Sequence, residues 1–125
     1  MIDAMLLGIE HIAQNMELMV PGASIPEIIE KCHVLPENCQ KQKYSCMAHG
    51  VGLCDEWPLV GYPDHNNAAA FDYVLEPGMT FCVEALISPE GGDFSIKLED
   101  QIVITESGFE NLTEAPFDPA LTGSA

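Results

Sequence analysis

MTFCVEALISPEGGDFSIKLEDQIVIT, Met79 to Thr105, decides how this chain is read. Two runs with strand character, MTFCVEALI and SIKLEDQIVIT, are joined by Ser88 to Phe94, and Gly91-Gly92 within that segment is a strong hairpin signal. Both central positions of a two-residue hairpin turn favour positive φ, which glycine reaches without a Cβ clash. With those glycines at the centre, Glu90 pairs with Asp93, and counting outward places Glu84 opposite Glu99. Opposed residues share a sheet face with Cβ atoms about 5 Å apart, where two carboxylates are destabilising unless something positive sits between them. A metal ion is the first candidate.

The flanking residues alternate with period two. Thr80 and Cys82 beside Glu84, and Ser95, Lys97 and Gln101 beside Glu99, share the glutamates' face, while Phe81, Val83, Ile96, Leu98, Ile102 and Ile104 point the other way. One face is a core and the other is polar. An ordinary antiparallel hairpin with one solvated face reads the same way. Pro89 cannot donate to a ladder, which leaves room for a wider turn and a different register.

At 125 residues, 47% of them hydrophobic, the chain is long enough for one core, and its mixed helical and strand periodicities give an α+β class. The net charge of −16 arises from 20 acidic residues against four lysines, with no arginine, so the electrostatic footprint of a nucleic-acid binder is absent. The same charge argues against an anionic membrane surface, and no apolar run is long enough to span a bilayer. The five cysteines are odd in number and form no C-x-x-C pair, so they read as reduced thiols, and the N-terminus lacks the basic region of a signal peptide. The expected location is cytoplasmic.

Ile2, Met5, Leu6, Ile9, Ile12, Ala13 and Met16 predict an amphipathic helix ending before Pro21-Gly22. Ser24, Pro26 and Glu27 form a capping-box pattern that opens a second, shorter helix through Cys32. His11 and His33 lie on these helices with no partner at ligand spacing, so they read as structural. Leu35 to Lys43 reads as a polar loop. The run Tyr44 to Leu53 has strand character, with glycines on either side of Val51 and directly after His49 that permit close approach of other backbone or a ligand. A long turn-rich loop follows through Asn67, Glu76-Pro77-Gly78 reads as a type II turn, and Asn111 to Ala125 reads as a surface tail.

Taken in order, His49-Gly50-Val51-Gly52-Leu53, Glu56-x-Pro58, Leu75-Glu76-Pro77-Gly78-Met79 leading to Glu84, and Leu98-Glu99-Asp100 with Val103-Ile104-Thr105-Glu106-x-Gly108 resemble the pita-bread metallopeptidase family. That family includes methionine and Xaa-Pro aminopeptidases, prolidases and creatinase. The resemblance implies the C-terminal portion of a pita-bread fold, a curved antiparallel sheet with amphipathic helices packed on one face. It also implies a pair of divalent transition metals (Fe, Zn, Mn or Co) held by two aspartates, one histidine and two glutamates. By motif position the metal ligands here are His49, Glu84 and Glu99.

Two departures shape the expectation. The family's aspartate ligands precede the histidine on strands, and here only Asp3 precedes His49, so residues 1–125 read as part of a catalytic domain with an incomplete site. The second lies where the peptidases carry a further histidine in a His-Glu-x-Pro motif. This chain has Asp55, and an ionised aspartate cannot donate a hydrogen bond to a developing oxyanion but is suited to act as a base. Cys54-Asp55-Glu56-Trp57-Pro58, Val83-Glu84-Ala85-Leu86, Ser88-Pro89-Glu90-Gly91-Gly92 and Pro116-Phe117-Asp118-Pro119-Ala120-Leu121 are similar to the dimethylsulfoniopropionate lyase branch.

The resemblance therefore implies a metal-dependent lyase acting on a small sulfonium substrate. Asp55 is the candidate base, Tyr44 matches an active-site tyrosine, and Trp57 and Tyr44 offer aromatic faces for the cation. The alternatives are a proline-specific dipeptidase or aminopeptidase, acting on a proline-containing peptide, and a module without chemistry of its own. An exposed sheet edge and apolar surface lead us to expect a homo-oligomer.

Overall fold

The computed structural model describes residues 1–54, 56–65 and 72–124. The apolar spacing at the N-terminus forms α1 (Ile2–Met16), and Ile12 and Met16 are buried in the core. Ser24 caps α2 (Ile25–Lys31) through the reciprocal bonds of a capping box: Glu27 N–H donates to Ser24 Oγ at 3.4 Å and Ser24 N–H to the Glu27 carboxylate at 3.0 Å. The expected loop at Leu35–Lys43 contains one helical turn, α3 (Glu37–Gln40), which buries Cys39. Four residues are too few to show a helical period.

Five strands form one antiparallel sheet in the order β2-β1-β3-β4-β5: β1 (Cys46–Gly50), β2 (Leu59–Gly61), β3 (Thr80–Ile87), β4 (Ile96–Ile104) and β5 (Phe109–Asn111). The expected surface tail begins at the last residue of β5, the edge strand paired with Ile102–Ile104, and includes α4 (Pro119–Thr122), capped by Asp118 and packed on α1. A three-residue strand carries too little alternation to be seen in a sequence.

In the central hairpin Glu84 lies opposite Glu99, in the register counted from the sequence. The turn itself differs. Gly92 N–H donates to Pro89 C=O at 2.9 Å, so the central pair is Glu90-Gly91, with Gly91 at φ +79°, and the strands stop at Ile87 and Ile96. The register survives because a one-residue slip would carry either Phe81 and Val83 or Ile102 and Ile104 from the core to the polar face. These four are at most 1% exposed. At the strand's entry the expected type II turn is present, with Gly78 at φ +91° and Met79 N–H bonded to Glu76 C=O.

The helices pack on the apolar face, α1 against β3 and β4 and α2 against β2, leaving the face of Glu84 and Glu99 on the other side. One polar cluster ties this layer together. His11, fully buried, has Nε2 facing two groups, Tyr62 Oη at 2.9 Å and Asn15 Nδ2 at 3.1 Å. Asn15 Oδ1 accepts from His33 N–H, which fixes the amide orientation, so the amide nitrogen must donate and His11 Nε2 must accept. The His11 proton then sits on Nδ1 and points to His33 Nδ1 at 2.8 Å.

A second proton on His11 would meet the Asn15 donor in a dry site. Burial, and the neighbouring His33, lower its pKa from 6.5 to about 4. Because the folded state disfavours the proton, the unfolded state binds more protons between these values, and stability falls as pH drops below 6.5. At pH 5 the expected loss is about 2 kcal/mol relative to pH 7, with no further loss from this group below about pH 4. Urea unfolding at the two pH values checks this, and His11→Gln is expected to remove most of the slope. An unchanged slope in that variant would rule out His11 as its source.

Candidate metal centre

Three strands converge on the site. The β1–β3 pairing sets His49 opposite Cys82, one step along the glutamates' face from Glu84. Gly50 keeps its neighbour segment close: its N–H donates to Pro58 C=O at 2.8 Å, and a Cβ built on it would fall on the Trp57 carbonyl. Only glycine permits this approach, which locks the chain around Trp57-Pro58 onto the strand that carries His49.

His49 Nε2 lies 3.8 Å from Glu84 Oε1 and 3.5 Å from Glu99 Oε1. Glu84 is 1% exposed, whereas the Glu99 side chain remains partly open to solvent. Lys97 stands on the same face, and its ammonium pairs with Glu84 Oε2 and lies 3.8 Å from Glu99 Oε2. The positive group demanded by two facing carboxylates is thus supplied in part by the chain itself. Its Nζ also sits 4.2 Å from the centroid of the Tyr44 ring.

Two cysteines complete the surroundings. Cys46 Sγ donates to Glu84 Oε1 at 3.2 Å. Strict alternation from His49 would turn Met47 toward the glutamates, but a bulge between Cys46 and Ala48 exchanges the two, and Met47 enters the core instead. Burial pushes the Cys46 thiol up to about 11, with the charge of Glu56 adding to it. Cys82 joins His49 and Glu99 in a group whose ligand atoms all lie within 4.8 Å of one another, a group that does not include Glu84. Burial, then the hydrogen bond and charge of Glu99, push the Cys82 thiol up to about 12.

The donor set fits a divalent cation. Ligands held about 2.1 Å from one ion stand within roughly 4.2 Å of each other. The two separations from His49 Nε2 meet that limit. One imidazole and two carboxylates suit Mn, Fe, Co or Zn, and Cys82 adds a softer donor. Three or four donors are fewer than two ions need.

Of the remaining candidates, Tyr44 is at the site, with one face of its ring under the Lys97 ammonium. Its hydroxyl pKa is raised, chiefly by Glu56. Trp57 donates its indole N–H to Tyr73 Oη at 3.0 Å and stacks edge-on against that ring, while lining a cleft of about 190 Å³ beside Gly50. Asp55 lies outside the described residues. Sequence alternation had placed Cys82 and Lys97 on the right face without assigning them a role, and Cys46 carried no signal because the bulge moves it. A larger cavity, about 250 Å³, opens by Cys32, His33, Lys43 and Tyr62, where Lys43 is paired with Asp64 at 2.6 Å and Tyr62 with His11.

Residues 1–106 match the sequence profile of Metallopeptidase family M24. The chain is 69% identical over 123 residues to the dimethylsulfoniopropionate lyase DddP of Roseobacter denitrificans and 59% identical to that of Roseovarius nubinhibens. Each alignment covers 98% of this chain and 28% of the relative, so the chain spans little more than a quarter of those proteins. Among solved structures, the X-Pro aminopeptidase of Thermotoga maritima superposes with a TM-score of 0.67 at 22% identity, over 93% of this chain and 32% of that one. The α+β architecture with its antiparallel sheet is the one those pita-bread enzymes share.

Proposed function

The chain belongs to metallopeptidase family M24, and from that premise we propose that it carries the histidine and glutamate ligands of a metal centre whose full-length protein is a dimethylsulfoniopropionate lyase. The observation that carries this reading is the 69% identity, along nearly the whole chain, to a lyase of that name. Residues 1–125 would be the C-terminal part of the catalytic domain, and further ligands would come from outside them. His49, Glu84 and Glu99 hold the cation. When bound, the metal makes the substrate's α-proton more acidic by drawing charge from the adjacent carboxylate.

The chain's own groups then carry the elimination. Asp55 accepts the α-proton, the electron pair of that C–H bond forms the new C=C bond, and the β-carbon–sulfur bond breaks. Its electron pair leaves with sulfur as neutral dimethyl sulfide. Acrylate remains, and Asp55 returns its proton to water. No water attacks, so a group that donates to an oxyanion is not required at position 55. Tyr44 and Trp57 supply aromatic faces near the sulfonium. At Tyr44 the Lys97 ammonium keeps the ring face it covers, so a sulfonium would meet the opposite face.

The second reading, an Xaa-Pro peptidase, draws on membership of a metallopeptidase family. Incubating the full-length protein with dimethylsulfoniopropionate and, separately, with an Xaa-Pro dipeptide decides between them. Dimethyl sulfide by gas chromatography together with acrylate, and little dipeptide cleavage, is the expected result. Efficient proline-dipeptide hydrolysis with the sulfonium compound untouched would replace the lyase reading by the peptidase one.

A further inference from the structure

Glu84 is almost closed to water and faces a second carboxylate across the ladder. A buried charge persists only with a partner, and repulsion from Glu99 adds to its cost. The chain has four cations, all lysines. Lys31 lies in the last turn of α2, Lys41 pairs with Glu90 and Lys43 with Asp64, whereas Lys97 is set on the glutamates' face by the ladder, opposite Leu86 and two residues before Glu99. From there Glu84 is its diagonal neighbour, within reach of a long side chain.

The contacts divide by oxygen atom. Lys97 takes Oε2 of Glu84 and approaches Oε2 of Glu99, while His49 Nε2 faces Oε1 of each and Cys46 Sγ donates to the same Oε1 of Glu84. The Tyr44 ring beneath the ammonium fixes its approach.

We propose that Lys97 is the positioning residue of this centre: its ammonium, seated on Tyr44, ties one oxygen of Glu84 to one oxygen of Glu99 and keeps the other oxygen of each turned toward His49 for a divalent cation. The clamp stands on geometry alone, while its use rests on the metal-site reading above. A lysine that simply occupied the cation's place would act with the opposite sign, because removing it would tighten metal binding.

Two measurements on the full chain test this, with Lys97→Met and Lys97→Arg made beside the wild type. In Mn²⁺ titration calorimetry, Lys97→Met is expected to weaken binding by about 10- to 100-fold, as loss of a partner that orients ligands does, and Lys97→Arg to stay near wild type. In chelator, Lys97→Met is expected to lower the thermal midpoint by about 2–8 °C, and the same change in a Glu84→Gln background to cost less than half as much. Mn²⁺ binding by Lys97→Met that equals or exceeds the wild type overturns the proposal, as does an equal thermal cost in both backgrounds. Should Lys97→Met fail to fold, Lys97→Gln carries the same two readouts. If His49→Ala leaves Mn²⁺ binding unchanged while Lys97 and Glu84 remain coupled, the clamp holds and the metal-site reading fails.

Discussion

Asp55→Asn in the full-length protein is expected to lower turnover of dimethylsulfoniopropionate by about 10² to 10⁴, the range of general-base catalysis, with metal content unchanged. Asparagine keeps the shape of aspartate and removes its ability to take a proton. The interaction lost is one made as the proton moves, so kcat and kcat/KM should fall together. What holds the neighbouring segment in place is legible at Gly50, whose missing side chain lets the Trp57 carbonyl lie against the strand of His49. Steady-state release of dimethyl sulfide, with elemental analysis of the same samples, checks the prediction. A variant that keeps nearly full activity would remove Asp55 from the mechanism.

Glu84→Gln should produce the opposite pattern, losing metal and activity together. The substitution replaces an anionic ligand by a neutral amide and leaves Lys97 facing Glu99 alone. Loss of an outer partner costs about 10- to 100-fold in metal affinity, and loss of a ligand should cost more. Elemental analysis after dialysis against buffer, run beside Asp55→Asn, separates ligand from base. A Glu84→Gln protein that retains its metal and is slow would place Glu84 in a role other than coordination.

Local pattern carried much of this protein. The spacing of Ile2 to Met16 bounded α1, and Ser24 with Glu27 gave the cap of α2. The alternation of Met79 to Thr105 gave which face of the hairpin is buried, and the count outward from Gly91-Gly92 gave Glu99 as the residue of β4 opposite Glu84. That register held although the turn lies one residue earlier than Gly91-Gly92 suggests, because the apolar face running along strands of eight and nine residues outweighs the preference of a turn of two. Short elements were invisible: α3, β5 and α4 are each four residues or fewer and show no period.

The order of motifs determined the family and named His49, Glu84 and Glu99, since each is marked by residues adjacent in the chain. Only the tertiary structure decided what surrounds them. His49 meets Cys82 through a pairing of strands more than thirty residues apart, Cys46 reaches Glu84 because of one bulge, and His11, Asn15, His33 and Tyr62 close a network from three separate segments. Lys97 could be placed on a face from its position, but that its ammonium bridges both carboxylates depends on the length of its side chain and on the Tyr44 ring brought in from before β1. A periodic pattern reports which side of its own strand a residue occupies, whereas contacts between side chains depend on how distant strands are registered, bulged and stacked, and that information is spread over the whole core.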